Sequence, residues 1–253
     1  MKFVFDLDGT ICFQGQPISS KIVQSLSALH NSGMEVIFAS ARPVRDMLPV
    51  IDEAFHHCTM IGGNGSLIYK EGKLVKSHSF SINAINEIKK LIDQYRAAYL
   101  IDGVWNYAYT GPDDHPILQN LDPANLAEKV ALDSLQPIVK VLILSSNDME
   151  QLCEQLLKLD VYVHVHSNEN VLDISPSGIN KWSALNSLGV KDKSYVAFGN
   201  DANDTAMFEH ALHTVMIGDH RQLASLANEK IPLSGDYEQE IADKIRMLSE
   251  KYR

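Results

Sequence analysis

The chain has 253 residues, of which 45% are hydrophobic and 21% charged, and this composition predicts a globular protein of one or two domains with an ample core. Its formal net charge of −10 disfavours nucleic acid and anionic membrane surfaces as main partners. An anionic substrate would therefore need a local positive site and a metal ion.

The cysteines indicate a reducing compartment. Cys12, Cys58 and Cys153 are odd in number and form no CxxC pair, so we expect a cytoplasmic protein. No apolar run reaches the roughly 18 residues of a membrane span, and no signal peptide is expected because the chain opens with a strand pattern. We expect a monomer or a weak homodimer.

The first predicted strand ends in two acidic residues. Residues 3–5 are all apolar, which is typical of a buried strand in a parallel sheet, and Asp6 and Asp8 follow. Side chains at i and i+2 of an extended chain point the same way, and like charges about 4 Å apart repel by roughly 4 kcal/mol. Such a pair indicates that a cation or a reaction requires it. A solvated strand end is the plainer alternative.

Alternating helix and strand patterns follow as far as residue 79. They predict a helix at 20–30, strands at 35–39 and 59–61, a helix between them that includes Met47, Val50 and Ile51, and a hairpin at 67–75. Ser40-Ala41-Arg42 and Asn64 come directly after the two strands. A hydroxyl and free backbone N–H groups at a strand-to-helix turn can hold a phosphate oxygen. Ser40 as a helix cap and Asn64 in a tight turn are the alternatives.

From about residue 81 the pattern mixes hairpins with helices. We predict helices at 82–95 and 148–159, a hairpin at 99–109 that turns at Asp102-Gly103, and strands at 138–144, 161–165 and 171–174. His164 and His166 alternate on one of these strands and are interpreted as structural. Such a mixture indicates an α+β insertion.

Strand and helix alternate again after residue 178, with strands predicted at 195–198 and 214–217. The sequence therefore predicts a doubly wound parallel-sheet core domain at residues 1–79 and 178–253. An α+β domain at residues 80–177 would be inserted into it, and the two crossings between the domains would form a hinge.

Two further groups of polar residues follow the insertion. Lys181 opens a helix where the core pattern resumes, although a lone lysine is more often a solvated surface group. Asn200, Asp201, Asn203 and Asp204 follow a predicted strand. Carboxylate and amide oxygens at such an edge suit Mg²⁺. A polar turn that caps the next helix is the alternative.

These motifs resemble those of the haloacid dehalogenase superfamily, and in particular its Cof-type branch (type IIB, with a C2 cap). Asp6-Leu7-Asp8-Gly9-Thr10 is similar to the first motif, and Ser40-Ala41-Arg42 is close to the Thr-Gly-Arg of one subgroup. Residues 199–204 are similar to the fourth motif, Gly-Asp-x-x-Asn-Asp. This chain departs from that motif at Asn200, where the usual residue is Asp.

The resemblance implies a Mg²⁺-dependent phosphatase of small phosphorylated metabolites, such as sugar phosphates. Asp6 would attack phosphorus and become an aspartyl phosphate, while Asp8 would act as general acid and base. The implied metal ligands are Asp6, Asp8, Asn200, Asp201 and Asp204. The implied substrate-binding residues are Ser40, Ala41, Arg42, Asn64, Lys181 and Asn203, and Lys181 would also assist catalysis.

Two alternatives to a phosphatase remain open at this stage. A phosphomutase would use the same aspartyl chemistry, and a non-catalytic phospho-ligand-binding regulatory module is suggested by Asn200. Within the insertion, Trp105, Tyr107 and Tyr109 are expected to share one strand face. We predict that the loop residues Asp113, Asp114 and His115 help to select the substrate, because loops often carry specificity.

Overall fold

The structure is a computed structural model that describes residues 1–166 and 171–253, with the backbone alone described for His166. Its strands are β1 (Lys2–Phe5), β2 (Glu35–Ala39), β3 (Thr59–Gly62), β4 (Leu67–Lys70), β5 (Lys73–Ser77), β6 (Ala98–Gly103), β7 (Tyr107–Tyr109), β8 (Ile138–Ser145), β9 (Val161–His166), β10 (Val171–Pro176), β11 (Tyr195–Gly199), β12 (His213–Ile217) and β13 (Glu229–Ile231). Its helices are α1 (Ser20–Asn31), α2 (Val44–Met47), α3 (Ile82–Tyr95), α4 (Met149–Leu156), α5 (Lys181–Ser187), α6 (Thr205–Glu209), α7 (Arg221–Ala224) and α8 (Tyr237–Lys251).

The described strands form two sheets. The larger has eight strands in the order β13-β12-β11-β1-β2-β3-β4-β5, and it is parallel from β13 to β3 with an antiparallel hairpin at its end. The smaller has five strands in the order β7-β6-β8-β10-β9, all antiparallel. The chain thus enters and leaves the smaller sheet between β5 and β11 of the larger one.

Apolar side chains on both faces of β1 explain why helices cover the larger sheet on both sides. Phe3 and Phe5 pack in one cluster with residues of α1 and α8, such as Leu26 and Ile245. Val4 points the other way, into a cluster with residues of α5 and α6. A strand that is buried on both faces has a continuous run of apolar residues, and residues 3–5 form such a run in the sequence.

The strand order reverses beside β1. From β1 the chain winds outwards through β2 and β3, whereas β11, on the other side of β1, leads outwards to β12 and β13. In open parallel sheets a crevice forms at such a reversal, beyond the carboxyl ends of the strands. The fold therefore places the ends of β1, β2 and β11 around one crevice.

Helices cover one face of the five-stranded sheet, and the other face is turned towards the crevice. Ile88 of α3 and Leu152 of α4 pack against Val141 and Ile174 of the strands. On the opposite face, Asp102, Lys140 and Asp173 are buried close to residues that follow β2 and β3. The five-stranded sheet thus supplies charged groups to the crevice.

Two connections join the sheets, and they run side by side. Residues 77–81 and residues 176–179 line the same small cavity, and the backbone N–H of Phe80 donates to the carbonyl oxygen of Ile138 at 3.0 Å. The predicted domain boundaries, at 79/80 and 177/178, fall in these connections and stay a prediction.

The predicted fold class is confirmed: a doubly wound parallel sheet carries an α+β insertion. Several elements are shorter than predicted. Helix α2 ends at Met47, and β7 begins only at Tyr107, so Trp105 does not share the strand with the two tyrosines. His166, interpreted as structural from the sequence, has a side chain outside the described residues. Among the described helices, none is long and apolar enough to cross a membrane.

Candidate active site

The register of the strands places the predicted motifs side by side at the carboxyl edge of the sheet. Phe5 pairs with Phe38 of β2 and with Phe198 of β11, and the backbone N–H of Asp6 donates to the Phe198 carbonyl oxygen at 3.0 Å. Asp6 therefore emerges just beyond the pairing of β1 with both neighbours. Ser40 and Asn200 follow the ends of those neighbouring strands.

The carboxylate of Asp6 is buried and held at both oxygens. Oδ1 lies 2.6 Å from Nζ of Lys181, and Oδ2 accepts a hydrogen bond of 2.8 Å from the Thr10 hydroxyl. Burial raises the pKa of Asp6 to about 7, although the positive charge of Lys181 opposes the shift. The arrangement fixes the orientation of this carboxylate before any ligand arrives.

Lys181 links Asp6 to Asp204. It opens α5, whose capping box is formed by Asn180 and Ser183, and its Nζ lies 2.6 Å from Oδ1 of Asp204. Burial by itself would lower the pKa of Lys181, but the carboxylates of Asp204 and Asp6 raise it. This lysine is fully buried and is not the solvated surface group of the alternative interpretation.

The buried carboxylate of Asp204 accepts hydrogen bonds from three donors. Besides Lys181, it accepts hydrogen bonds at Oδ2 from the backbone N–H groups of Asn200 at 2.9 Å and Asp201 at 3.2 Å. A side chain on Gly199 would lie only 2.5 Å from Oδ2 of Asp204, so glycine is needed there. Asp204 thus fixes both the lysine and the turn that carries Asn200.

Asn200 and Asp201 point to different neighbours. The amide oxygen of Asn200 lies 3.3 Å from the Thr10 hydroxyl, which itself donates to Asp6. Gly9, at a φ of +74°, leaves room for this amide, because a Cβ there would approach Asn200 Nδ2 to 2.2 Å. Asp201 instead caps its own turn at Ala202 N, and its Oδ1 lies 3.4 Å from Nε2 of His220.

Asp8 and Arg42 form a bidentate ion pair at the mouth of the crevice. Arg42 Nε and Nη2 donate to the two oxygens of Asp8 at 2.7 and 2.5 Å. The side chain of Asp8 is 47% exposed, whereas that of Asp6 is 5% exposed. The two acids of the first motif therefore lie in different surroundings, one sealed and one open to the crevice.

Ser40 and Ala41 line the same edge. The Ser40 hydroxyl accepts from the backbone N–H of Arg42 at 3.1 Å and does not cap α2, whose first turn follows Pro43. Asn64, at a φ of 57°, receives a hydrogen bond of 3.2 Å from the side chain of Asn203. The structure thus brings the two predicted amides into contact.

Three charged residues of the five-stranded sheet complete the surroundings of the site, and they were not predicted from the sequence. Lys140 Nζ donates to the Ala41 carbonyl oxygen at 2.6 Å and lies 3.0 Å from Oδ2 of Asp173. The same oxygen accepts from Asn64 Nδ2 at 3.0 Å. Asp102 pairs with Arg45, which also binds Asp46 through two hydrogen bonds.

A signal for these residues was present in the sequence. Lys140, Asp173 and Asp102 each stand inside an otherwise apolar strand pattern. Charged residues are almost never fully buried unless they are paired, so a charge within such a run indicates a partner across the fold.

A cavity of about 290 Å³ lies between the two sheets. Asp8, Arg42 and Lys140 border it, and its apolar walls come from Leu100, Ile117, Leu121, Leu142 and Val171. Asp113, Asp114 and His115 are not part of this lining; the segment that follows them supplies Ile117 and Leu121 instead. We refer to this space as the cleft.

Known proteins are similar in sequence over most of this chain. The family model described as haloacid dehalogenase-like hydrolase matches residues 3–236. An HMP-PP phosphatase of Cronobacter sakazakii is 24% identical over 240 residues, covering 85% of this chain and 83% of that protein. The 5-amino-6-(5-phospho-D-ribitylamino)uracil phosphatase YitU of Bacillus subtilis is 22% identical over 232 residues, covering 85% of each.

Solved structures agree with these relatives. The superfamily subclass IIB sugar phosphatase BT4131 superposes with a TM-score of 0.75 at 15% identity and covers 98% of both chains. The fold and the site therefore define a hydrolase with a doubly wound core and an α+β insertion. The chain belongs to the haloacid dehalogenase-like hydrolases, and the predicted resemblance to the Cof-type branch is confirmed.

Proposed function

We propose that the protein is a Mg²⁺-dependent phosphatase that hydrolyses small phosphorylated metabolites through a phosphorylated Asp6. The observation that carries the proposal is the Asp6 carboxylate, held between Lys181 and Thr10 at the carboxyl end of the central strand. A carboxylate fixed in this way loses little orientational freedom when it attacks phosphorus. Relatives with phosphatase names support the same class of reaction for this chain, a phosphoric monoester hydrolase.

In the first step, an Asp6 oxygen would attack phosphorus in line while the bond to the leaving oxygen breaks. Asp8 borders the cleft, and its carboxyl group would give a proton to that leaving oxygen. In the second step, Asp8 would take a proton from a water molecule that attacks the phosphorus of the aspartyl phosphate. The products would be inorganic phosphate and free Asp6.

Arg42 orients Asp8. Its guanidinium group holds both Asp8 oxygens from one side, so the carboxyl group stays at the cleft wall rather than swinging into solvent. The Ser40 hydroxyl, the backbone N–H of Ala41 and the side chains of Asn64 and Asn203 would bind phosphoryl oxygens or hold the groups that do. Lys181 would neutralise charge beside Asp6.

The donors present fit a magnesium ion. Asp6 and the Asn200 amide oxygen both contact the Thr10 hydroxyl, so two oxygen donors converge there, and the Asp8 backbone carbonyl is a third candidate. Mg²⁺ prefers oxygen ligands and keeps several waters. When bound, it would lower the energy of the negative charge that develops on the phosphoryl oxygens.

Two other predicted metal ligands, Asp204 and Asp201, make contacts that favour other roles. Asp204 is fully buried and holds Lys181 as well as the backbone N–H groups of Asn200 and Asp201, so we assign it an anchoring role. Asp201 faces His220, and we place it outside the direct ligands.

The walls of the cleft support a leaving group with an apolar face. Five aliphatic side chains line the cleft together with charged groups that include Asp8, Arg42 and Lys140. We propose that the five-stranded sheet and its helices are a cap domain that excludes water and selects the leaving group.

The three free thiols are consistent with the predicted cytoplasmic location.

The test is a screen of phosphate esters with the purified protein and Mg²⁺, with release of inorganic phosphate as the measurement. We expect turnover of at least one ester, loss of activity on chelation and recovery on addition of Mg²⁺. Formation of an isomeric phosphate ester without free phosphate would instead favour a phosphomutase. Binding of phosphorylated ligands without any turnover would favour a regulatory module.

A further inference from the structure

Three metal-binding side chains meet at the edge of the eight-stranded sheet that lies opposite the cleft. His30 is in the last turn of α1, and His57 and Cys58 come directly before β3. Strand β3 has four residues and runs from this edge to the cleft edge, so it separates the two places by roughly 13 Å. The cluster is therefore distinct from the proposed magnesium site.

The distances within the cluster are close to those around a shared ion. One ligand atom from each residue lies within 4.8 Å of the others, and Cys58 Sγ is 3.9 Å from His57 Nε2. In a tetrahedral site, a Zn–S bond of about 2.3 Å and a Zn–N bond of about 2.0 Å put sulfur and nitrogen roughly 3.6 Å apart. The two imidazole rings have centroids 5.1 Å apart at an angle of 67°, so they are not stacked face to face.

The burial of the three residues leaves the cluster accessible to an ion from one side. Cys58 is buried, and both histidines are exposed, so the group has a closed side and a side open to solvent. The buried side shields the thiol, and an ion can enter from the exposed side, where the two imidazole rings lie.

We propose that His30, His57 and Cys58 bind a divalent transition-metal ion of the zinc class. Thiolate and imidazole are the ligands that zinc prefers, whereas Mg²⁺ prefers oxygen. On binding, the Cys58 thiol releases its proton to solvent and the sulfur donates an electron pair to the metal. Each histidine donates the lone pair of one neutral ring nitrogen, and water completes the coordination from the exposed side.

Co²⁺ is a suitable probe, because a cobalt–thiolate bond absorbs in the near ultraviolet and tetrahedral Co²⁺ absorbs in the visible. The full-length protein would be titrated with Co²⁺ under reducing conditions, and Zn²⁺ would then be added to displace it. We expect a near-ultraviolet band that saturates at one ion per chain and disappears with Zn²⁺. An excess of Mg²⁺ should leave the band unchanged.

Two variants and a control identify the ligands. Cys58→Ser should remove the near-ultraviolet band, and His30→Gln, at an exposed position where folding is not at risk, should weaken Co²⁺ binding roughly tenfold or more. Cys153→Ser is the matched control, because Cys153 lies on α4 in the other sheet layer, and its band should equal that of the wild type. None of these residues belongs to the proposed active site, so the phosphatase test stays independent.

The proposal is overturned by any of four results. The first is the absence of a thiolate band in the wild type. The second is a band that survives Cys58→Ser, and the third is a band that is lost in Cys153→Ser. Co²⁺ affinity unchanged by His30→Gln would also contradict it, because the ion would then be held without the predicted imidazole.

Discussion

The ammonium group of Lys181 lies 2.6 Å from the carboxylate of Asp6, and neither side chain is open to solvent. Burial raises the pKa of Asp6 to about 7, and Lys181 is the largest opposing influence. A nucleophilic carboxylate must be ionised to attack phosphorus. Lys181 therefore limits the rise in the pKa of Asp6 and so favours its reactive, ionised form, in addition to orienting it.

Asp6→Asn should lower turnover by roughly 10³-fold or more, because the amide cannot act as the nucleophile. The change is nearly isosteric, so we expect the fold to remain, as measured by circular dichroism and thermal unfolding. Acid quenching during turnover should trap a phosphorylated Asp6 in the wild type and none in the variant. A variant with full activity would exclude the covalent mechanism.

Lys181→Met should destabilise the protein by about 3–5 kcal/mol, because it leaves the carboxylates of Asp6 and Asp204 buried without their cation. The measurement is the free energy of unfolding in urea at neutral pH. Lys73→Met, on the exposed strand β5, is the matched control and should change stability by no more than about 0.5 kcal/mol. Equal effects of the two changes would show that the buried ion pairs do not stabilise the fold.

Asn200→Asp should tighten Mg²⁺ binding, because it places a negative charge beside Asp6 where the neutral amide oxygen now lies. The dissociation constant would be measured by isothermal titration calorimetry. Asp201→Asn is the control, since Asp201 faces His220, and it should change the affinity less. If Asp201→Asn weakens binding and Asn200→Asp has no effect, Asp201 is the direct ligand.

Leu142→Asn should change substrate preference, because it places a polar amide in the apolar wall of the cleft. We expect kcat/KM for an aryl phosphate to fall roughly tenfold relative to that for a hexose phosphate. The double change Asp113→Ala and Asp114→Ala should leave this ratio unaltered, because neither residue lines the cleft. The reverse result would move the specificity surface to the loop, as the sequence suggested.

Asp102 should make stability depend on pH. Burial raises its pKa from 3.8 to about 6 in the folded protein, against the charge of Arg45. Between these two values the folded state holds a proton that the unfolded chain has released, so stability falls as the pH rises from about 4 to 6. In Asp102→Asn this fall should be shallower, as measured by urea unfolding at several pH values. A wild-type slope in the variant would contradict the assignment.

The sequence was sufficient for the core fold because its signals are local. The apolar run at residues 3–5, followed by Asp6 and Asp8, predicts both a buried strand and a site at its end. Lys181 was found from its place at the start of a helix together with the resemblance to the Cof-type branch. The contacts of Asp201 were not predictable, because its neighbour His220 is close in space but distant in the chain. Lys140 and Asp173 were missed because their partners, Ala41 and Asn64, lie across the two sheets.

The two connections that run side by side between the sheets have an evolutionary consequence. An insertion whose ends are adjacent can be exchanged for another without changing the separation of the strands on which it is mounted. A transplanted insertion would still have to recreate a few polar contacts, namely Lys140 with Ala41, Asp173 with Asn64 and Asp102 with Arg45. An exchanged insertion must therefore keep these three residue pairs. The exchange is constrained at these interface positions more than at the two connections.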